Sequence, residues 1–324
     1  MAILLTGGLG YIGSHIALKL KKKAIIIDNQ SNSNLNYKKK LPYAKVYKLE
    51  LNYKNLNKIF KNHSIKSVIH LAGIKSVEQS NQLPLKYYRN NVISSIELIE
   101  CMDKFKINNL IFSSSATVYG DSYKSPLEEE LALKTTNAYA SNKIAIEQLI
   151  KEYSISNHRF KSISLRYFNP GGSDVKMKLS EQPLGKPQNL LPILNRAVKQ
   201  KKLLKIFGND YPTNDGTCVR DYIHIKDLAD AHLIALKKIS KFKGHNPINI
   251  GMGKGLSVLE IVNLFEKVNK VKVRYVFTKR RKGDAAISFA NNYKAKKLLD
   301  WSPKFSHKDI LKDSWEAYLL NNSF

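Results

Sequence analysis

Cysteine is nearly absent: Cys101 and Cys218 are the only two in 324 residues. They lie far apart and form no C-x-x-C pair, so neither a disulfide framework nor a structural zinc site is expected, and a reducing, cytoplasmic setting is. Arginine is scarce too, with 8 against 46 lysines, and acidic residues number only 26 against 54 basic ones, a formal net charge of +28. Such a charge invites a nucleic-acid reading. The lysines, however, are spread in short runs such as Lys21, Lys22, Lys23 and Lys38, Lys39, Lys40, and arginine, the preferred bidentate reader of bases and phosphates, is the residue in short supply. The charge therefore reads as solvated surface, with no nucleic-acid partner expected. No apolar stretch approaches the length of a membrane span, and Met1 to Gly10 carry no basic leader with an apolar core, so neither a membrane segment nor export is expected.

What is present is a hydrophobic content of 43%, enough for a sizeable core. Apolar runs alternate with amphipathic stretches, the pattern of a parallel sheet covered by helices. Ala2 to Thr6, Ala24 to Asp28, Val46 to Leu49, Ser67 to Ala72, Leu110 to Ser114 and Ser162 to Tyr167 read as six buried strands, and the early intervals are long enough for right-handed crossovers. After Asn169 the rhythm breaks into Pro- and Gly-bearing stretches: Pro170-Gly171-Gly172, Gly185-Lys186-Pro187 and Gly208 to Pro212. A boundary near residue 170 divides a first domain, 1–170, from a second, 171–324, with segments of the latter returning to pack on the former.

Thr6-Gly7-Gly8-Leu9-Gly10-Tyr11-Ile12-Gly13 follows the first strand and precedes a helical segment. Glycines at these positions let the backbone approach a pyrophosphate, and the helix N-terminus offers it unpaired N–H groups. The fold class is therefore α/β, a Rossmann-type doubly wound parallel sheet with a smaller C-terminal α/β domain for substrate. Asp28 ends the second strand about 20 residues on, where a carboxylate accepts from both ribose hydroxyls and repels a 2′-phosphate. NAD is favoured over NADP.

Tyr139-Ala140-Ser141-Asn142-Lys143 is one of four Y-x-x-x-K matches, and context chooses among them. Tyr222/Lys226 and Tyr275/Lys279 lie in strand-like sequence, where four residues span about 13 Å. Tyr293/Lys297 sits on a lysine-rich surface stretch. Tyr139/Lys143 opens a segment with helical apolar spacing through Ile150, so both side chains share a face, and it follows Ser113 to Gly120 at a strand's C-terminal end. A phenol acting as a base at neutral pH must fall about three pH units, roughly 4 kcal/mol. A cation at about 4 Å supplies that at an effective dielectric of 20, and Lys143 is the cation, joined by a positive nicotinamide. Ser115 would hold the substrate oxygen.

These motifs, with Arg166-Tyr167-Phe168-Asn169-Pro170, Val219 to His224 and Arg280-Arg281-Lys282-Gly283-Asp284, resemble the UDP-glucose 4-epimerases of the extended short-chain dehydrogenase/reductase family over essentially the whole chain. The resemblance implies an NAD-dependent UDP-hexose 4-epimerase that inverts C4 through a 4-keto intermediate, with Tyr139, Lys143 and Ser115 catalytic. It assigns the cofactor to Gly7, Gly10, Tyr11, Ile12, Gly13, Asp28, Asn29, Glu50, Leu51, Leu71, Ala72, Gly73, Lys75, Asn90, Tyr139, Lys143 and Phe168. The UDP-sugar falls to Ser115, Tyr139, Asn169, Asn189, Leu190, Phe207, Arg220, Arg281, Asp284 and Ser288. It also implies a homodimer and no metal.

Three positions depart from the family pattern. Glu50 replaces the aspartate beside the adenine. The first crossover is shortened after Leu20 and lacks the glycine before strand two, so the helix end must be rebuilt there. Ser288 stands where many bacterial members carry tyrosine, which bears on substrate choice and makes the N-acetyl sugars expected substrates. Two other functions share these motifs: a nucleotide-sugar 4,6-dehydratase, which carries an acidic residue where Ala116, Thr117 and Val118 stand here, and a non-catalytic NAD-binding regulator.

Overall fold

The computed structural model describes residues 1–32, 36–121, 124–185, 187–281 and 283–322; Lys186 and Lys282 lie outside them. The strands are β1 (Ala2–Thr6), β2 (Ala24–Ile27), β3 (Lys45–Tyr47), β4 (Ile65–His70), β5 (Asn109–Ser115), β6 (Lys161–Tyr167), β7 (Asn169–Gly171), β8 (Leu204–Phe207), β9 (Val219–His224), β10 (Gly244–Ile250), β11 (Gly255–Ser257), β12 (Tyr275–Thr278) and β13 (Ile287–Ser288). The α-helices are α1 (Tyr11–Leu20), α2 (Asn36–Lys39), α3 (Tyr53–Asn62), α4 (Val77–Gln82), α5 (Pro84–Tyr87), α6 (Ser94–Lys104), α7 (Ala138–Ser156), α8 (Leu190–Lys199), α9 (Ile225–Lys238), α10 (Val258–Asn269) and α11 (His307–Asn321). Two compact units result: Met1–Val118 with Leu133–Arg166 and Ala229–Ile248, and Tyr119–Ala132 with Tyr167–Leu228 and Asn249–Phe324.

The first unit is built on a seven-stranded parallel sheet in the order β10-β6-β5-β4-β1-β2-β3. Its 3-2-1-4-5-6 core is the doubly wound order, in which the strand sequence reverses between β1 and β4. β2 is buried along its whole length and β1 over its last four residues, which is why these central strands read as continuous apolar runs rather than alternating ones. Leu4, Ile27, Ile59, Val68, Leu98, Phe112 and Ile146 meet in one core beneath the covering helices. The shortened first crossover is closed by Lys21, which adopts φ 54° at the end of α1 and returns its N–H to the Ala17 carbonyl. A 3₁₀ turn, Lys21–Lys23, then feeds β2 directly. A lysine thus takes a backbone conformation usually left to glycine.

In the second unit β9 is central. It pairs with β7 and β13 in parallel and with β11 antiparallel, while β8 and β12 form a separate parallel pair. Leu194, Ile206, Tyr222, Phe265 and Ile310 form its core. The buried Asp221 of β9 accepts the N–H groups of Met252, Gly253 and Ala290, and burial raises its pKa to about 6.

Candidate active site

The glycine turn is set by steric necessity. Gly7 has φ +66°, and a Cβ there would lie 2.8 Å from the backbone of Ala72. At Gly13 a Cβ would meet the Gly7 carbonyl oxygen at 2.5 Å and the Gly8 Cα at 2.6 Å, so α1 starts pressed against the end of β1. Gly10 is the N-cap and supplies no side-chain cap to the start of α1, the end of a helix that attracts an anion. Asp28, at the end of β2, is tied into the same turn: one carboxylate oxygen accepts the Leu9 N–H at 2.9 Å and the other the Gln30 N–H at 2.7 Å. Asn29 donates to Glu50 at 3.0 Å, so these two predicted adenosine contacts are joined to each other, and Leu51 packs on the core.

Across the strand-order reversal, the segment after β4 is fixed by a chain of hydrogen bonds. Thr6 Oγ1 accepts from the Leu71 and Ala72 N–H groups, both at 3.2 Å, and bonds His70 Nδ1 at 2.7 Å. Burial, then the positive charge of Lys143, lowers the His70 pKa to about 3, so the imidazole is neutral. Nδ1 then accepts the Thr6 proton, and Nε2–H donates to Ser95, which donates to the Asn91 carbonyl. The Asn91 side chain clasps both the N–H and the C=O of Ile74, and its amide oxygen lies 3.0 Å from where a Gly73 Cβ would stand. Lys75 is exposed, and Asn90 donates to the Lys86 carbonyl within its own helical stretch. The sequence does not mark the roles of His70, Ser95 and Asn91 or the side-chain role of Thr6, because the bonds that tie these residues to other segments reach 17 to 66 residues along the chain.

Tyr139 and Lys143 lie one turn apart on α7, whose N-cap Asn137 accepts the Ala140 N–H. The shared face holds: Lys143 Nζ stands 5.7 Å from the centre of the Tyr139 ring. It also donates to the Ser113 carbonyl at 2.7 Å and sits 4.8 Å over the Phe112 ring. Ser115 Oγ accepts from both the N–H and the hydroxyl of Thr117, at 3.3 and 3.0 Å, which leaves its own proton for Tyr139.

Tyr139 keeps part of its surface exposed, but its hydroxyl end is enclosed, and burial raises its pKa to about 12 against the lowering effect of Ser115. Burial lowers Lys143 to about 8, opposed by Glu147. One expectation is corrected by burial. The phenol starts higher than its free value, so acting as a base near pH 7 takes roughly 7 kcal/mol rather than 4. A cation at about 4 Å supplies roughly 4 kcal/mol at an effective dielectric of 20, which falls short of that. A second positive charge is needed.

In the second unit Arg220 lies 3.6 Å from the Asp284 carboxylate, and the Arg281 guanidinium stacks 4.1 Å over the Phe207 ring. Ser288 on β13 is the register partner of Arg220 on β9. Asn189 precedes α8 and donates to Glu181, while Leu190 packs into the core beneath. Phe168 is buried, and Asn169 opens β7 opposite Tyr222. Of the remaining Y-x-x-x-K pairs, Tyr222 and Tyr275 are in strands, and Tyr293 is exposed.

A glycine turn at a strand-order reversal, an acidic residue closing β2 and a tyrosine–lysine pair at the end of β5 define a dinucleotide-binding α/β enzyme of the reductase type. The chain belongs to the NAD dependent epimerase/dehydratase family, whose model matches residues 3–251. A UDP-glucose 4-epimerase of Dictyostelium discoideum is 42% identical over 330 residues, covering 98% of this chain and 96% of that protein. The structure of UDP-glucose-4-epimerase from Stenotrophomonas maltophila, with bound NAD and formylated UDP-arabinopyranose, superposes with a TM-score of 0.95 at 34% identity, covering 99% and 98% of the two chains. The UDP-Glc/GlcNAc 4-epimerase of Campylobacter jejuni superposes at 0.85 with 31% identity, covering 99% of each chain. The family is NAD-dependent, and the residues present fit that cofactor: the glycine positions leave a cradle that a Cβ would fill, and the α1 N-terminus faces it without a side-chain cap.

Proposed function

We propose that the chain is an NAD-dependent UDP-hexose 4-epimerase that interconverts UDP-glucose and UDP-galactose through a 4-keto intermediate. The observation that carries this reading is the convergence of Tyr139, Lys143 and Ser115 at the C-terminal end of β5. NAD, when bound, supplies a reversible hydride store and the second positive charge. Tyr139 takes the proton of the 4-hydroxyl in one direction and returns it in the other, Ser115 donates to the oxygens involved, and Lys143 holds charge beside the phenolate. Inversion requires the keto sugar to offer its other face before reduction. That calls for a firm hold on UDP and a loose one on the hexose. Arg220 and Arg281 are assigned the diphosphate, with Asn189, Leu190, Phe207 and Asp284 completing the nucleotide contacts. Incubation with UDP-glucose or UDP-galactose without added cofactor, followed by product separation, tests the reading, and absence of interconversion even with added NAD would overturn it.

Domain roles follow the same reading: the first unit holds NAD and the second the UDP-sugar. The chain is proposed to be a homodimer, on the support of large apolar side chains left exposed on α5 to α6, where Leu85 is 85%, Ile93 47% and Tyr88 41% exposed. A cytoplasmic location is proposed from the two buried free cysteines. No helix among the described residues is long and apolar enough to cross a membrane.

Two expected results bear on specificity. Asp28→Ala should narrow a preference for NAD over NADP and, by orphaning the Leu9 and Gln30 N–H groups, lower stability by about 1–3 kcal/mol. Equal binding of the two cofactors by the parent would show that Asp28 does not read the ribose. Ser288, beside Arg220, is proposed to leave room for a 2-acetamido group, so UDP-N-acetylglucosamine should be epimerised as well. Ser288→Tyr should then lose the N-acetyl pair by roughly 5- to 150-fold while UDP-glucose turnover stays within a few-fold. Comparable loss on both pairs would count against it.

A further inference from the structure

Three consecutive residues of β5 are each engaged by a different turn of α7. Ser115 bonds Tyr139, the Ser113 carbonyl accepts from Lys143, and the Ser114 hydroxyl donates to Glu147 at 2.5 Å. Glu147 lies one turn beyond Lys143 and two beyond Tyr139, on the same face of α7. It is buried, as is Arg166 on β6, and the pair is closed by both Arg166 Nε and Nη2, the latter at 2.5 Å. A buried ion pair often adds little to stability compared with apolar packing, so its presence beside a buried lysine asks for another explanation.

We propose that Glu147, anchored by Arg166 and Ser114, is a positioning residue that keeps Lys143 charged and fixes its turn of α7 against the end of β5. The inference rests on the epimerase reading above. The groups facing Lys143 are Tyr139 and Glu147 on its own helix, neutral His70 on β4, and the Phe112 ring and Ser113 carbonyl on β5, with Arg166 of β6 behind Glu147. Among them Glu147 alone brings negative charge to a lysine that burial drives toward its neutral form. A neutral Lys143 would withdraw the cation from Tyr139 in the pH range where the phenol has to ionise.

The test is competitive labelling of Lys143 by dinitrofluorobenzene across a pH series in NAD-loaded protein, read by peptide mass spectrometry alongside kcat and KM. Glu147→Gln removes the carboxylate that Arg166 bonds and risks misfolding; Glu147→Gln with Arg166→Met removes both charges of the ion pair. Both variants should move the Lys143 midpoint and the alkaline limb of kcat down by about one pH unit or more, with KM within about twofold, and the deficit should shrink toward pH 6. An unmoved midpoint in the folded double variant, or the same loss of kcat at every pH, would overturn the proposal. The labelling midpoint decides it even if the parent does not turn over UDP-glucose, an outcome that would instead overturn the epimerase reading.

Discussion

Replacing Tyr139 by Phe is expected to lower kcat by about 10²- to 10⁴-fold while NAD stays bound and KM changes little. The ring and its place on α7 are retained, and only the oxygen that Ser115 bonds is removed. Near-parental turnover in this variant would eliminate the phenol as the proton-transfer group. Lys143→Ala should cost about 10²-fold near neutrality, since a cation at about 4 to 6 Å supplies roughly 3–4 kcal/mol at an effective dielectric of 20. The sign of its pH dependence follows from burial, which holds the Tyr139 hydroxyl up at about 12. With less opposing charge the phenolate fraction is smaller at any pH, so the residual rate should climb with pH across the measurable range. A flat profile would remove the electrostatic role of Lys143.

Gly13→Ala should abolish retention of NAD on purification and lower Tm by several degrees. A Cβ would meet two backbone groups, the Gly7 carbonyl at 2.5 Å and the Gly8 Cα at 2.6 Å, and neither yields as a flexible side chain would. Opening the turn to relieve them costs about 1–3 kcal/mol or more and displaces the N–H groups of α1 from the phosphate position. Gly10→Ala is the informative contrast. Its nearest neighbour outside the adjoining residues would be 3.3 Å away and its φ of −69° suits any residue, so the fold should survive and only cofactor affinity should fall. Stoichiometric NAD and parental Tm in Gly13→Ala would show that the turn has room this structure denies it.

Glu50 shows where a resemblance stops short of geometry. The aspartate-to-glutamate change leaves the carboxylate bonded to Asn29, its neighbour in the adenosine assignment, at 3.0 Å. The missing glycine after Leu20 is another such case. The need for a rebuilt helix end followed from the sequence, but its solution, a lysine at positive φ followed by a 3₁₀ turn, did not, since several caps satisfy the same orphan carbonyls. Strand ends moved by one or two residues, as with β3 at Lys45–Tyr47 and β4 at Ile65–His70, because the ladder ends where a neighbour ends and not where apolar residues do.

By itself the sequence determined the alternation of strand and helix, the glycine turn, the acidic close of β2 and the placing of Tyr139 and Lys143 on one helical face. Each depends on backbone geometry or side-chain periodicity within a dozen or so residues, which is the range over which sequence acts directly on conformation. Tertiary structure alone decided which serine faces which turn of α7, that His70 is neutral between Thr6 and Ser95, that Glu147 meets Arg166, and that Ser288 runs beside Arg220. Those partners are 19 to 68 residues apart, and their meeting is set by the register of strands and the pressure of burial on polar groups, which any one segment of the chain leaves unspecified.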